Sequence, residues 1–250
     1  MGAWPASRDK LVFKRAISHR GLQTPEYALG DDGLEMQDVL VKRAVGSFGD
    51  HVHGPYRSGR DRPLRIADGE FYERFINGTM LKVWFFQDQP FVLETDIVSH
   101  VTGDGVASMR ELVERRQAAQ NFSPLVAPEK LLARVSEFLA YADRDLDYVP
   151  PAGAKQAIEF RYGSELGRAA DRVTVDLSAA PTEWLELREA GRTFLDLVPE
   201  EFRTLALYSV DAVQDKEGVV WYLEINSNPV VHPLIYAPML KTLITTPDTS

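Results

Sequence analysis

Two apolar runs near the carboxyl-terminal end give the clearest pattern of hydrophobic and polar positions in the chain. Residues 205–213 are apolar except for Ser209 and Asp211, and residues 219–225 are apolar except for Glu224. A polar segment of five residues that ends in glycine separates the two runs. Apolar runs joined by a short polar turn are typical of an antiparallel hairpin, so we predict one here.

The polar residues of this hairpin are candidate metal ligands. Alternation along the second strand places Glu224 and Asn226 on one face, and Asp211 in the first strand can point to the same face. A carboxylate among apolar neighbours is costly unless it is paired or bound to a metal, and magnesium prefers such hard oxygen ligands. The alternative is that both carboxylates lie on the solvent face of an edge hairpin, because alternation leaves one face for polar residues.

Elsewhere, helical and strand patterns alternate. Apolar residues at helical spacing predict a first helix from Ser7, as its N-cap, to Arg20, with Gly21 ending it. Ser108 and Glu111 have the spacing of a capping box, which predicts the start of another helix. The remaining predicted elements are strands at 39–45, 69–76, 79–86, 90–101, 156–162 and 172–177 and helices near 109–117, 128–143, 182–198 and 232–244.

Composition narrows the class of protein. Of 250 residues, 44% are hydrophobic and 10% aromatic, which is enough for one compact unit of two lobes or for two small subdomains. The net charge of -9 argues against nucleic acid as a main partner, because a phosphate backbone needs a basic surface. The absence of cysteine excludes disulfides and cysteine zinc sites. No signal-sequence or membrane-span pattern is present, so we expect a soluble, cytoplasmic protein without a membrane partner.

One lysine and a glycine loop form a second candidate site. Lys42 lies within an apolar strand, where a lysine needs an anionic partner or a route to solvent. The loop that follows contains Ser47 and Gly49, and its glycines can turn backbone N–H groups toward an anion. The loop alone is a weak signal, because surface turns have the same composition.

Motifs over almost the whole chain, in order, resemble those of ATP-grasp carboxylate-amine ligases. The nearest resemblance is to the ATP-grasp part of cyanophycin synthetase and glutathione-type ligases. The motifs that carry it are DK at 9–10, VLVKRA at 39–44 with the glycine loop, EFYERFING at 70–78, VTGDGVASMREL at 101–112, DYVPPAG at 147–153 with Arg161 after it, SVD at 209–211 and EINSNP at 224–229.

The resemblance implies a role for each candidate residue, with ATP and one or two Mg²⁺ ions as cofactors. The implied roles are phosphate binding for Lys10, Lys42 and Lys82, a phosphate-covering loop for Ser47 and Gly49, contact with the adenine edge for Glu73 and the backbone from Arg74 to Ile76, contact with the transferring phosphoryl group for Arg161, and Mg²⁺ binding for Asp211, Glu224 and Asn226.

The resemblance also implies a fold and an activity. The fold is an α+β ATP-grasp domain over 1–250, in which two subdomains grip the nucleotide between antiparallel sheets. Residues 1–36 would form an N-terminal helix and connector, 37–88 the smaller nucleotide-covering subdomain, and 89–250 the larger subdomain with the metal site. The activity is ADP-forming ligation, in which a small-molecule carboxylate is activated as an acylphosphate and joined to an amine.

The sequence departs from the family in three places. Met80 stands where many relatives carry an acidic residue for the ribose, and 165–170 replaces an Asn and a Gly-Gly turn. The usual N-terminal pre-ATP-grasp domain is missing, so we expect a second copy or a partner subunit to supply that surface, or a minimal ligase, or a fragment. Two alternatives stay open, a small-molecule ATP-grasp kinase and a non-catalytic nucleotide-binding module.

Overall fold

The computed structural model describes residues 4–46, 51–62, 66–96, 98–119, 127–161, 166, 172–179 and 184–245. Its helices are α1 (Pro5–Arg8), α2 (Lys10–Ser18), α3 (Met109–Ala118), α4 (Pro128–Tyr141), α5 (Leu185–Asp196) and α6 (Tyr236–Thr245), with short 3₁₀ helices at Gly30–Glu35, Gly59–Asp61, Glu200–Leu205 and Pro233–Ile235. Its strands are β1 (Tyr27–Ala28), β2 (Gln37–Arg43), β3 (Val52–Ser58), β4 (Glu70–Arg74), β5 (Gly78–Phe86), β6 (Gln89–Asp96), β7 (His100–Thr102), β8 (Lys155–Ala157), β9 (Arg172–Asp176), β10 (Leu207–Asp215) and β11 (Val220–Asn226).

The chain forms two compact units, and the first is built on a five-stranded sheet. This first unit comprises Met1–Thr24, Leu81–Thr95 and Val173–Ser250. The strand order is β11-β10-β5-β6-β9. The helices α2 and α5 contribute aromatic residues to a core on one face of the sheet, where the ring of Phe194 lies 5.5 Å from that of Phe85. Burying an aromatic side chain of this size stabilises the fold by about 1.5–3 kcal/mol.

Alternation along β10 separates this core from the candidate metal ligands. Val210 belongs to the aromatic core, whereas Leu207 packs with a second cluster that includes Trp84. Ser209 and Asp211 lie on the same face as Leu207, because side chains two residues apart in a strand point the same way. Ser209 and Asp211 therefore face away from the aromatic core.

The segment after β11 covers part of the face that carries Trp84. The indole Nε1 of Trp84 donates a hydrogen bond to the carbonyl of Val230 at 2.9 Å. His232 packs its ring 5.4 Å from the Trp84 ring, and its Nε2 lies 3.4 Å from a carboxylate oxygen of Glu94. Ile235 is fully buried in the same cluster. These contacts hold the start of α6 against the sheet.

The second unit comprises Pro25–Met80 and Asp96–Arg172. Its four-stranded sheet has the order β1-β4-β2-β3, in which each neighbouring pair is antiparallel. A two-stranded antiparallel sheet of β7 and β8 packs with α3 and α4, which bury Met109, Val135 and Ile158 in a core of their own. Both units combine helices with sheets whose described pairings are antiparallel, so the predicted α+β fold class is confirmed.

The predicted hairpin and capping box are also confirmed, but the first predicted helix is wrong at its start. The N-cap of α2 is Asp9, not Ser7, and α1 is a separate helix. The Asp9 carboxylate accepts hydrogen bonds from the backbone N–H groups of Leu11 and Val12 at 2.8 and 3.3 Å. One carboxylate thus satisfies two of the N–H groups that a helix start leaves unpaired. Gly21 follows α2 with a positive φ of 81°, as the predicted stop requires.

Four predicted strands differ from the structure in extent or partner. The strand predicted at 90–101 is split into β6 and β7, which belong to different sheets, and the strand predicted at 156–162 is limited to β8. The strands at 69–76 and 79–86 are found as β4 and β5, but each pairs within a different sheet. The predicted subdomains at 37–88 and 89–250 stay a prediction, and the compact units have other boundaries.

Within the described ranges, each helix is too short or too polar to cross a membrane.

Candidate functional site

The three predicted metal ligands meet on the hairpin of β10 and β11. Asp211 lies opposite Glu224 in the strand register, and Ser209 lies opposite Asn226. The amide Nδ2 of Asn226 donates a hydrogen bond to Asp211 Oδ2 at 3.1 Å. This hydrogen bond leaves the other end of the amide, Oδ1, as the acceptor end of the Asn226 side chain.

Two lysines contact the carboxylates of this cluster. Lys10 Nζ lies 2.8 Å from Glu224 Oε2, and Lys82 Nζ lies 2.8 Å from Asp211 Oδ1. Lys10 is the first residue of α2, so the Asp9 cap fixes its position, and Lys82 lies on β5, the strand beside β10. Both lysines were predicted from the sequence as site residues, but their contacts with Glu224 and Asp211 were not predicted.

The environment of Asp211 shifts its titration. Burial raises the pKa of the Asp211 carboxyl above its ordinary value, the ammonium of Lys82 lowers it in part, and the charge of Glu224 raises it again. A carboxylate in this environment is stabilised by positive charge, because opposite charge nearby favours its ionised form. Lys82 supplies such a positive charge, with its ammonium 2.8 Å from Asp211 Oδ1.

Ser209 is a polar residue of this face that the sequence did not single out as a site residue. Its side chain is fully buried, and its hydroxyl has no hydrogen-bond partner among the described residues. The signal in the sequence was the alternation of Ser209 with Asp211 along an otherwise apolar strand. A buried hydroxyl without a partner costs stability, and it stands beside the candidate metal ligands.

The donor chemistry of the cluster fits a magnesium ion. Two carboxylates and one amide oxygen are hard ligands, and magnesium is usually bound by one or two carboxylates together with waters and substrate phosphates. In the part of the chain that the structure describes, no group of three His, Cys, Asp or Glu side chains could hold a metal. The third predicted ligand of the hairpin cluster, Asn226, is an amide.

A buried ion pair occupies the sheet of the second unit. Lys42 on β2 pairs with Glu73 on β4, and both side chains are almost fully buried. In the register Leu40 lies opposite Glu73, so Lys42 reaches it diagonally. The expectation that Lys42 has an anionic partner is therefore confirmed. The roles of Lys42 at the phosphates and of Glu73 at the adenine stay predictions.

The segment predicted to meet the adenine edge follows Glu73. The N–H groups of Arg74 and Phe75 donate to the carbonyls of Glu26 and Asp38. Both N–H groups are therefore already paired within the chain, and Ile76 lies just beyond β4.

A cavity of about 460 Å³ borders the same segment and is rich in carboxylates. It is lined by Glu26, Asp32, Glu35, Met36, Gln37, Asp38 and Arg74. With four carboxylates and one guanidinium, this cavity is unsuited to a phosphate.

Arg161, predicted to face the transferring phosphoryl group, is held inside the second unit. Its Nη1 lies 2.7 Å from Glu159 Oε1, and its Nη2 donates to the carbonyl of Val52 at 2.8 Å. The side chains of Arg161 and Glu159 are 8% and 2% exposed. Arg161 Nε and Glu159 Oε2 have no hydrogen-bond partner in the described part of the chain. The sequence missed Glu159 because a glutamate two residues before an arginine is usually a surface residue.

The predicted phosphate-covering loop cannot be placed. Ser47 and Gly49 lie outside the described residues, and so do 165 and 167–170 from the segment that departs from the family.

His53, which belongs to the only closely spaced histidine pair in the sequence, lies 3.9 Å from Glu137.

Comparison with known proteins gives one curated relative of note. No family model matches the chain. The chain is 20% identical over 256 residues to the glutathione biosynthesis bifunctional protein GshAB of Desulfotalea psychrophila. The match covers 90% of this chain and 31% of that protein. The chain thus spans about a third of the length of this relative.

Solved structures similar to the chain include two ligases. For a bifunctional glutathione synthetase from Pasteurella multocida the identity is 16% and the TM-score 0.41, with 88% of this chain and 32% of that chain covered. For the ATP-grasp ligase PsnB, solved with a minimal precursor, Mg and ADP, the identity is 12% and the TM-score 0.45, with 96% and 58% covered. The proteins to which the chain is similar are thus named as a glutathione biosynthesis protein, a glutathione synthetase and an ATP-grasp ligase.

Proposed function

We propose that the chain binds MgATP and activates a substrate carboxylate as an acylphosphate, which is then joined to an amine with release of ADP. One observation carries this proposal. The three predicted metal ligands meet on one hairpin, and the two predicted phosphate-binding lysines of the same unit contact them. The names of the relatives, a glutathione biosynthesis protein and ATP-grasp ligases, support the same chemistry.

The proposed metal ligands are Asp211, Glu224 and Asn226. A bound Mg²⁺ would neutralise charge on the phosphate oxygens, which is the usual contribution of this ion to phosphoryl transfer. The carboxylates offer two negative charges, and the Asn226 amide can rotate to offer Oδ1.

The proposed phosphate-binding residues of the hairpin cluster are Lys10 and Lys82. Each ammonium lies 2.8 Å from a proposed metal ligand, so each is within a side-chain movement of phosphates held by the metal. We further propose Lys42 and the segment with Ser47 and Gly49 as phosphate contacts.

We assign Glu73, Arg74 and Ile76 to the adenine edge. The phosphoryl contact is Arg161, a role that the arginine fork suits because it binds phosphate bidentately and stays charged.

The chemistry needs no covalent nucleophile on the protein. A carboxylate oxygen of the substrate attacks the γ-phosphorus, the bond to the bridging oxygen of ADP breaks, and the amine then displaces phosphate from the acylphosphate. Positioning of the reactants and positive charge around the γ-phosphoryl group supply most of the rate enhancement for such a transfer. The substrates would be a small-molecule carboxylate and a small-molecule amine.

A second candidate function is nucleotide binding without transfer. It is favoured by Arg161, whose two terminal nitrogens are both engaged within the chain. An arginine held in this way must leave Glu159 or Val52 before it can contact a phosphoryl group.

Trapping of the acylphosphate tests the proposal. The chain is incubated with MgATP, candidate carboxylates and hydroxylamine in place of the amine, and ADP and hydroxamate are measured. We expect both products from the wild type and a loss of about a hundredfold or more in Glu224→Ala, which removes charge stabilisation at the phosphates. Glu217→Ala, on the exposed turn of the same hairpin, is the matched control.

The products separate the alternatives. ADP formed with a hydroxyl acceptor and no carboxylate would identify a kinase. Nucleotide binding with no ADP from any acceptor would identify a binding module, and full turnover in Glu224→Ala would contradict the assigned metal site.

A further inference from the structure

The carboxylates of the hairpin cluster are each held by a lysine. We infer that Lys10 and Lys82 compete with the metal ion for Glu224 and Asp211, so that metal and nucleotide binding are coupled through these two lysines. The inference rests on the proposed function and deepens it, because it says why the site would take the metal together with the nucleotide rather than the metal alone.

Both carboxylate oxygens of Asp211 already accept hydrogen bonds within the chain. Oδ1 accepts Lys82 at 2.8 Å, and Oδ2 accepts the Asn226 amide at 3.1 Å. A divalent ion that binds either oxygen meets the ammonium or the amide N–H already there. Binding of the ion at Oδ1 therefore displaces Lys82, and binding at Oδ2 displaces the Asn226 N–H, so that Asn226 must turn its oxygen inward.

The charges of the two lysine–carboxylate pairs also favour coupled binding. Two carboxylates and two ammonium groups sum to zero, so the cluster offers no net attraction to a free divalent ion. Once the ion is bound, the four side chains and the ion sum to a charge of about +2, which attracts a polyphosphate. The lysines thus weaken binding of the metal alone and strengthen binding of the metal with its nucleotide.

The two lysines have fixed backbone positions and side chains that can move. The Asp9 cap holds Lys10 at the start of α2, and β5 holds Lys82 with its ammonium 5.7 Å from the centre of the Trp84 ring. Their side chains are each 17% exposed, so they are partly open to solvent. A lysine stem is flexible, and its compact ammonium can move from carboxylate to phosphate without a change in the backbone.

Mn²⁺ binding in the absence of nucleotide tests the inference, with free Mn²⁺ measured by electron paramagnetic resonance. The variants Lys10→Met and Lys82→Met keep the apolar stem and remove the charge. We expect each to bind Mn²⁺ about five- to twentyfold more tightly than the wild type, the size of the repulsion removed at about 5 Å in a partly solvated site. With an ATP analogue present, the same variants bind the Mn²⁺ complex more weakly than the wild type.

Two controls separate charge from structure. Lys82→Arg keeps the charge, so its Mn²⁺ affinity stays close to that of the wild type even if the site is slightly disturbed. Lys216→Met removes a lysine from the turn of the same hairpin, where its side chain is 87% exposed, and leaves the affinity unchanged. Circular dichroism of each variant checks that it is folded.

The outcomes distinguish the inference from the proposed function. If the wild type binds Mn²⁺ through Glu224 but the methionine variants bind it no more tightly, the coupling is wrong and the metal site stands. If neither the wild type nor any variant binds Mn²⁺, with or without nucleotide, both the coupling and the proposed metal site are wrong. Opposite shifts with and without nucleotide support the coupling.

Discussion

The ion pairs that contain predicted site residues differ between the two units in how deeply they are buried. In the first unit, the paired side chains are 15–26% exposed, and in the second unit they are 2–10% exposed. The pairs are Lys10–Glu224 and Lys82–Asp211 in the first unit and Lys42–Glu73 and Arg161–Glu159 in the second.

This difference decides which pairs can be exchanged for a ligand. Removing one partner of a buried pair leaves an uncompensated charge and is strongly destabilising, whereas a partly solvated pair gains little from its contact. The pairs of the first unit can therefore release their lysines to a ligand at small cost. The pairs of the second unit stabilise the fold. A ligand that binds Arg161 or Lys42 must therefore replace the ion pair that it breaks.

The largest expected effect is at Glu159. Glu159→Ala leaves the guanidinium of Arg161 buried without its carboxylate, and we expect a loss of about 3–5 kcal/mol in the free energy of unfolding. Urea denaturation followed by circular dichroism measures it. Glu217→Ala, on an exposed turn, is the control and leaves stability unchanged. Near-wild-type stability of Glu159→Ala would mean that the Arg161 pair is exchangeable like those of the first unit.

A smaller loss is expected at Lys42. Lys42→Met leaves Glu73 buried without this ammonium, and we expect a loss of about 3 kcal/mol, the lower end of the range for a broken buried pair. The double variant Lys42→Met/Glu73→Gln removes both charges and should recover most of that loss. Chemical denaturation of the three proteins gives the coupling energy. A double variant that is less stable than Lys42→Met would contradict a pairwise role.

The smallest effect on stability is expected at Lys10. Lys10→Met removes one partner of a pair that is 17% and 26% exposed, so we expect a loss of only about 0–1 kcal/mol. Thermal denaturation checks this value beside that of Lys42→Met. Equal losses in the two variants would remove the contrast between the units.

Local patterns predicted much of the fold and half of the candidate site. The hairpin followed from strand alternation and a glycine turn, and the capping box of α3 from the spacing of Ser108 and Glu111. The metal ligands Asp211, Glu224 and Asn226 came from period-two alternation, which fixes the face on which a side chain lies. These features depend on residues close together in the sequence.

The contacts that complete the site could not be predicted in this way. Lys10 pairs with Glu224 and Lys82 with Asp211 across more than a hundred residues, and no local pattern encodes such a pairing. The local pattern also failed to identify Asp9 rather than Ser7 as the N-cap of α2. Both residue types are good caps, and only the geometry of the helix start decides between them.

The central claim is that the hairpin binds a metal together with a nucleotide. Calorimetric titration with a non-hydrolysable ATP analogue, in Mg²⁺ and then in EDTA, tests it on the wild type and on Glu224→Ala. We predict that the analogue binds in Mg²⁺ and that this binding is lost in EDTA and in Glu224→Ala. Glu217→Ala should bind the analogue as tightly as the wild type does. Binding of equal strength in EDTA, or in a folded Glu224→Ala, would contradict the claim.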